Sequence, residues 1–339
     1  MSQPMAVPSS NRSSRAAKRR HFWQTVKPWL LALVFASVLL TLPDESIKDR
    51  DNYLGMFEGA PLFLAGWWEG DVRSILANEP LFYGLNALLM LVVSPELALQ
   101  LLIFVPALIV AHRSFSLAPQ QVVLVLAMLL LPQMLQKHVV HLRQGLAIAV
   151  FLLGWFATTL PRRWAFLLAA PLLHSSFVFV LGLVGLAALM RRMHLNPLLA
   201  LPVFGAAGLL VGVSLATLAQ AAGARQGEEY EFAAAQGISG LGFLFWAAVL
   251  LIYYTQGRRF LTLHLLELGS IVFYLTTYFL SPVTARVFES TMLLVMLAAL
   301  HMRGASRWVF VVMIFSYCAV QWLMLLTGAA SIFTTVSGN

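Results

Sequence analysis

Residues 142–192 read LRQGLAIAVFLLGWFATTLPRRWAFLLAAPLLHSSFVFVLGLVGLAALMRR, two long apolar runs bounded by arginine pairs. The second run, 164–190, is interrupted only by Pro171 and by His174-Ser175-Ser176. Arginines that flank an apolar run mark the cytoplasmic side of a membrane, so both ends of this run are expected there. The pattern predicts a broken hairpin whose tip points toward the outer side.

The composition of the whole chain agrees with this pattern. Its 339 residues are 60% hydrophobic and 11% charged, and its mean hydropathy is +0.82. Soluble domains carry about 25% charged residues, so a soluble enzyme, a disordered protein and a nucleic-acid binder are excluded. The single cysteine, Cys318, allows neither a disulfide nor a cysteine-based metal site within one chain. We predict an all-α, polytopic integral membrane helical bundle.

The apolar runs set the number of membrane segments. At roughly 20 residues per crossing, the chain has room for about 10–12 segments, counting partial ones. The run 80–93 is too short to cross upright at about 1.5 Å per residue, so it is predicted to be a half-inserted outer helix. The remaining runs are 29–42, 97–112, 118–136, 142–160, 164–190, 197–219, 239–255, 262–281, 285–301 and 308–327.

Charge sets the predicted orientation. The N-terminal tail is basic and has no acidic residue, which predicts that it is cytoplasmic. The next run has the length of a secretory signal, but no small-x-small cleavage pattern precedes Pro43, which favours an uncleaved first helix. The predicted divisions are a cytoplasmic tail at 1–27, one transmembrane domain at 28–328 with outer loops at 43–79 and 221–237, and a short outer tail at 329–339.

Polar side chains collect on the predicted outer side. A charged group at the centre of a bilayer costs about 2.5–3.5 kcal/mol, so such groups normally face partners or a cavity. The inner halves of the runs are almost purely apolar, and we therefore predict one site at the outer leaflet boundary. The groups are Asp49-Arg50-Asp51-Asn52-Tyr53, Asn78-Glu79-Pro80-Leu81-Phe82, Lys137-His138 with His141-Leu142-Arg143-Gln144, and His174-Ser175 together with Arg286.

Simpler structural interpretations exist for several of these residues. Glu79 could cap the helix that follows it. Arg286 could pair with Glu289 three residues later on one helix. His174 could be a hydrogen-bonded core histidine.

Two short sequence patterns could indicate a metal site, and both are weak. His138 and His141 have metal-like spacing but no nearby carboxylate, so a site there is not favoured. Asp49-x-Asp51 matches a metal-binding carboxylate pair of glycosyltransferases, yet so short a pattern recurs by chance. His264 and Glu267 lie toward the inner half of their span and are interpreted as structural.

Four short motifs occur in order along the first part of the chain, over about 44–185. They are Asp51-Asn52-Tyr53 with Phe57, Glu79-Pro80-Leu81-Phe82 with Leu85, Arg143-Gln144 with Ala147, and His174-Ser175. Together they resemble the EpsG family of Wzy-like exopolysaccharide polymerases. The last third matches as hydrophobic spans with an outer arginine, Arg286. One departure is Leu81, where the family motif has a glycine.

This resemblance implies a function. The protein is expected to be a glycosyltransferase that polymerises undecaprenyl-diphosphate-linked oligosaccharide repeat units into exopolysaccharide, capsule or O-antigen. The reaction is expected on the outer face of the bacterial inner membrane. A chain-length regulator and export proteins are implied partners, and no nucleic acid is. No cofactor is expected, and a divalent cation on Asp49 and Asp51 is the alternative that is not favoured.

The implied chemistry gives the polar residues expected roles. Arginine forks bind phosphate oxygens, and the acceptor hydroxyl must lose a proton as it attacks. The expected diphosphate ligands are Arg143, Arg286 and Arg50, with Arg73 as a weaker candidate. The expected catalytic residues are Asp51, Glu79 and His174. The expected substrate-binding residues are Tyr53, Gln144, Asn52 and Ser175. Trp67 and Trp68 are interpreted as interface anchors.

Three other functions remain as alternatives. A lipid-linked glycan ligase would use the same site with a different acceptor. A flippase of the lipid-linked unit would need polar surfaces reachable from both membrane faces. A membrane acyltransferase would need catalytic groups on the inner side. The near absence of polar groups from the inner halves of the runs disfavours the last two.

Overall fold

The computed structural model is helical throughout the part of the chain that it describes. That part comprises residues 10–42, 47, 49–67, 72–221, 240–280 and 283–328. Most of the predicted outer loop 221–237 and all of the tail 329–339 lie outside it. Within these ranges sixteen α-helices occur and no strand, so the prediction of an all-α membrane bundle is confirmed.

We number the helices in chain order. They are α1 Ser10–Leu39, α2 Arg50–Trp67, α3 Val72–Ala77, α4 Pro80–Met90, α5 Pro95–Leu117, α6 Val122–Leu129, α7 Pro132–Val139, α8 Leu142–Trp155, α9 Leu160–Leu173, α10 Ser176–Arg192, α11 Ala200–Ala221, α12 Gly240–Thr255, α13 Arg258–Leu263, α14 Leu265–Thr277, α15 Val283–Ala299 and α16 Ala305–Leu326. A 3-10 turn, Pro197–Leu199, precedes α11.

Several helices have the length and composition of membrane spans. Four described segments qualify, in α1, α5, α11 and α16, and the bent pair of α6 and α7 makes a fifth. Shorter apolar helices, among them α4, α8, α12 and α14, pack between them. The chain is therefore a multi-pass membrane protein.

The segment predicted as the first outer loop contains an 18-residue helix, α2. Tyr53, Phe57 and Ala60 of α2 are buried, and their spacing of four and three places them on one helix face. This helix is not apparent from the sequence, because acidic and basic residues surround its apolar positions. The helix matters for function because it carries Tyr53 toward the start of α8.

The run 118–136, predicted as one apolar membrane segment, is bent in the structure. It divides into α6 and α7, whose axes differ by 66°. Pro132 causes the break, because proline disfavours helical backbone at the residue before it. Leu131 accordingly adopts extended angles, and the indole N–H of Trp322 donates to the Leu130 carbonyl at 2.8 Å.

The predicted broken hairpin is formed by α9 and α10. His174 separates them with extended backbone angles (φ −155°, ψ 122°). We name this end of the bundle the His174 end. At the opposite end, which we name the Arg303 end, the Arg303 N–H donates to Gln256 Oε1 at 2.8 Å, and Thr255 bonds Ser306.

Candidate active site

Glu79 is the central residue of the site. It lies in the loop before α4 and has left-handed backbone angles (φ 60°, ψ 53°). For a residue other than glycine such angles cost about 1–3 kcal/mol and persist only where the surroundings enforce them. Its carboxylate is 2% exposed and makes no capping bond with α4. Glu79 therefore occupies the N-cap position of α4, as the sequence suggested, but its side chain does not cap the helix.

Three groups from distant parts of the chain bind the Glu79 carboxylate. Oε1 accepts a hydrogen bond from Nδ1 of His174 at 2.7 Å and another from the Ser175 backbone N–H at 3.1 Å. Oε2 pairs with an Nη1–H of Arg143 at 2.6 Å. An ionised carboxylate only accepts hydrogen bonds, so Nδ1 of His174 carries the proton. In the neutral imidazole, Nε2 is then left with its lone pair.

The local fold explains why these donors meet. Arg143 is the second residue of α8, and its backbone N–H donates to the Tyr53 hydroxyl at 3.4 Å. Its guanidinium lies 5.9 Å from the centre of the Phe82 ring. Ser175 is the N-cap of α10, and its N–H points away from the helix because the first N–H groups of a helix have no partner within it.

The contacts of Glu79 and His174 determine which of the two side chains is charged. Both residues lie in breaks between helices. Burial by itself raises the pKa of the Glu79 carboxyl. The hydrogen bond from His174, the Arg143 guanidinium and the Ser175 N–H outweigh burial and hold this pKa well below its usual range. Burial lowers the pKa of the His174 imidazole, against the opposing effect of Glu79. The result is an ionised carboxylate oriented against an imidazole that favours its neutral form.

A second set of contacts joins this site to the start of α15. The amide of Gln144 donates to the Arg286 carbonyl at 2.7 Å and to the Ser290 hydroxyl at 2.9 Å. Ser290 also bonds the hydroxyl of Ser176 at 3.2 Å. The Arg286 side chain is exposed and lies within electrostatic range of His174. Four distant segments thus meet at the His174 end.

A model of the EpsG family matches residues 28–335, nearly the whole chain. The chain belongs to the EpsG family. This family is associated with polysaccharide polymerisation. No curated protein and no solved structure matches this EpsG-family chain.

The residues of the cluster at 49–53 in this EpsG-family protein have different surroundings and different partners. Arg50 is 2% exposed, and its Nε donates to the Val139 carbonyl at 3.1 Å, so it joins α2 to α7. This buried position argues against the expected role of Arg50 as a diphosphate ligand. Asp51 and Asn52 are exposed on α2, and Asn52 donates to Asp49 Oδ1 at 3.3 Å. Tyr53 of this cluster contacts Arg143.

Glu289 takes a different partner from the one considered in the sequence. It forms an ion pair with Lys137 of α7, whose side chain is 1% exposed. The interpretation of Glu289 as the local partner of Arg286 is therefore wrong. Sequence reasoning could not have found this pair, because 152 residues separate its members.

The remaining predictions of the sequence have mixed outcomes. His138 is buried beside Lys137, and within the described ranges no three His, Cys, Asp or Glu side chains group as metal ligands. His264 and Glu267 do approach each other, with 3.6 Å between Nδ1 and Oε1. The side chains of Trp67, Trp68 and Arg73 lie outside the described residues.

Proposed function

We propose that this EpsG-family protein polymerises undecaprenyl-diphosphate-linked oligosaccharide repeat units on the outer face of the bacterial inner membrane. The observation that carries the proposal is the contact of Glu79 with both His174 and Arg143. These contacts support the proposal because an imidazole oriented by a carboxylate lies near a partly exposed arginine, at the end of the bundle opposite the arginine-rich loops. The product is an exopolysaccharide, capsule or O-antigen chain.

His174 acts as the general base in this proposal. Nε2 accepts the proton of the acceptor hydroxyl while the hydroxyl oxygen attacks the anomeric carbon of the donor glycan. The bond from that carbon to the diphosphate oxygen breaks, and the diphosphate leaves with the bonding electron pair. Glu79 holds the imidazole in the required tautomer and stabilises the imidazolium that forms. Because its own oxygens are already bonded, Glu79 serves as a positioning residue rather than as the base.

Arg143 and Arg286 bind the leaving diphosphate. The bond to Glu79 uses one of the five N–H donors of the Arg143 guanidinium, and its side chain is 20% exposed. The Arg286 side chain is exposed at the first turn of α15. Charge-assisted bonds to phosphate oxygens are roughly twice as strong as neutral ones, so two arginines stabilise the charge that develops on the leaving group.

The polar residues around the base have separate roles. Gln144 positions α15 against α8, because its amide is engaged by Arg286 and Ser290. The Ser175 N–H orients Glu79. Asp51 and Asn52, exposed on the neighbouring helix, contact the incoming glycan.

The decisive experiment uses Arg143→Ala in cells that lack the native gene. We expect no polymer and an accumulation of single lipid-linked repeat units, with normal amounts of protein in the membrane. Arg192→Ala is the matched control, since Arg192 is exposed at the Arg303 end. If the repeat units fail to appear on the outer face, the protein is a flippase. Long chains that remain on the lipid carrier identify a ligase.

Orientation is tested separately by labelling of single cysteines in a Cys318→Ser background. Thr41→Cys lies at the His174 end, where α1 finishes, and should react with an impermeant thiol reagent added to intact spheroplasts. Met193→Cys lies at the Arg303 end and should react only after permeabilisation. The reverse result contradicts the proposed location of the reaction.

A further inference from the structure

Apart from the candidate active site, a cavity lies at the His174 end, between α12, α14, α15 and α16. Its volume is about 260 Å³. Pockets for drug-sized ligands have roughly 300–1,000 Å³, so this one has room for a single ring-sized ligand. It lies apart from Glu79, Arg143 and His174, which are not among its lining residues.

The lining combines aromatic faces with a few polar groups. Trp246, Tyr274 and Tyr317 supply aromatic surface, and Gln133, Gln321 and Glu289 supply hydrogen-bonding groups. Neighbouring rings hold these aromatic side chains in place. Tyr274 stacks on Phe288 with ring centres 4.4 Å apart, and Tyr317 stacks on Phe245 at 4.0 Å.

One polar atom at this cavity is buried without a hydrogen-bond partner. Gln133 donates from Nε2 to the Tyr317 hydroxyl at 3.2 Å, but its Oε1 has no partner among the described residues. Buried acceptors in native proteins are normally satisfied by protein, water or ligand. A side-chain rotation that turned this oxygen toward the cavity would let an O–H donor there satisfy it.

Gly242 keeps the cavity open. A Cβ at this position would lie 3.1 Å from the Tyr278 hydroxyl oxygen and 3.4 Å from that of Tyr274. Any larger side chain here therefore extends into the space that the tyrosines border. A larger side chain at Gly242 would therefore fill part of the cavity.

The cavity adjoins the proposed catalytic site through α15. Glu289 lines the cavity, whereas the next residue, Ser290, bonds Gln144 beside Arg143. Consecutive residues of a helix project about 100° apart, so the two sites lie on neighbouring faces of α15. The two sites therefore share α15 as a common wall.

We propose that this cavity binds one sugar ring of the lipid-linked oligosaccharide, an inference that rests on the proposed function. A sugar ring offers C–H faces to aromatic rings and hydroxyl groups to Glu289 and to Gln133 Oε1. An acyl chain of similar width would make no hydrogen bond to either side chain. The match of chemistry and size therefore favours a carbohydrate over a lipid tail.

Binding is tested with purified full-length protein in nanodiscs. The probe is the repeat-unit oligosaccharide, released from its lipid by mild acid, and saturation-transfer NMR reports which sugar protons contact the protein. Wild type should give signals concentrated on one ring, and Gly242→Leu should abolish them. Gly182→Leu is the control, because no atom lies within 4 Å of a Cβ added at Gly182. Signals that are absent in wild type, or equal in both variants, overturn the proposal.

Kinetics in isolated membranes provide the second measurement. Gly242→Leu and Gln133→Leu should raise KM for the lipid-linked repeat unit by about 10-fold to 100-fold while kcat changes by less than about twofold. Gln133→Leu changes little volume, so it guards against a folding defect. An unchanged KM in both variants overturns the cavity proposal and leaves the polymerase intact. If wild-type membranes make no polymer from repeat units, the proposed function fails. The NMR measurement alone then decides whether the cavity binds a sugar ring.

Discussion

Glu79 Oε1 and His174 Nδ1 lie 2.7 Å apart although 95 residues separate them in the chain. The carboxylate fixes the proton on Nδ1 and leaves Nε2 with a lone pair. The same carboxylate binds Arg143 through its other oxygen. One buried acid therefore positions both the proposed base and a proposed phosphate ligand, and its removal should affect both.

Glu79→Gln should lower the rate of polymerisation by about 10²–10⁴-fold, the usual contribution of an oriented general base. The glutamine amide can donate to Nδ1, which favours the wrong imidazole tautomer, and it no longer neutralises Arg143. The rate in isolated membranes is the measurement. Glu96→Gln, at an exposed carboxylate in the first turn of α5, should keep the wild-type rate. Equal rates for both variants contradict the role of Glu79.

The rate should depend on pH through His174. The base must be neutral, and its pKa is lowered from the ordinary value of about 6.5. The rate should therefore be constant near neutral pH and fall only at a pH lower than the one at which an ordinary histidine becomes protonated. Glu79 remains ionised through this window because its pKa is held low. A pH profile of wild type against His174→Gln tests this, since the variant should lose the acidic decline along with most of its activity.

The ion pair of Lys137 and Glu289 should matter more for stability than for chemistry. Glu289→Leu leaves the buried Lys137 charge without its partner, and we expect a loss of about 3–5 kcal/mol in the free energy of unfolding. Lys137→Met combined with Glu289→Leu should recover most of this loss, because the uncompensated charge is gone. Unfolding of the purified protein in detergent compares the two. Losses that simply add in the double variant would show that the charges do not interact.

Gly145 allows α8 to approach α7 closely. A Cβ at Gly145 would overlap the Lys137 carbonyl, so Gly145→Ala should destabilise the protein by about 1–3 kcal/mol and displace the start of α8 that carries Arg143. Gly182→Ala meets no neighbouring atom and should be neutral or slightly stabilising, because alanine favours helix. Thermal unfolding and polymer yield are measured together. Equal stability of the two variants would contradict the close approach.

Local patterns in the sequence predicted much of the architecture. Apolar runs of membrane length predicted the helices, because backbone groups in lipid must be satisfied within a helix. The polar break at His174 within the run 164–190 correctly predicted the hairpin of α9 and α10. Two elements were not predicted: the amphipathic helix α2, whose apolar positions lie among charged residues, and the bend at Pro132, where the apolar run continues on both sides.

The sequence by itself determined that this is a membrane bundle with polar residues at one end, since hydropathy and charge are properties of each segment. Which of these side chains contact each other was decided only by the tertiary structure. Glu79 with Arg143, Lys137 with Glu289 and the aromatic cavity near Gly242 all join segments far apart in the chain. A buried charge must find a partner, but which one it finds depends on the helices that pack beside it, and no local pattern encodes that choice.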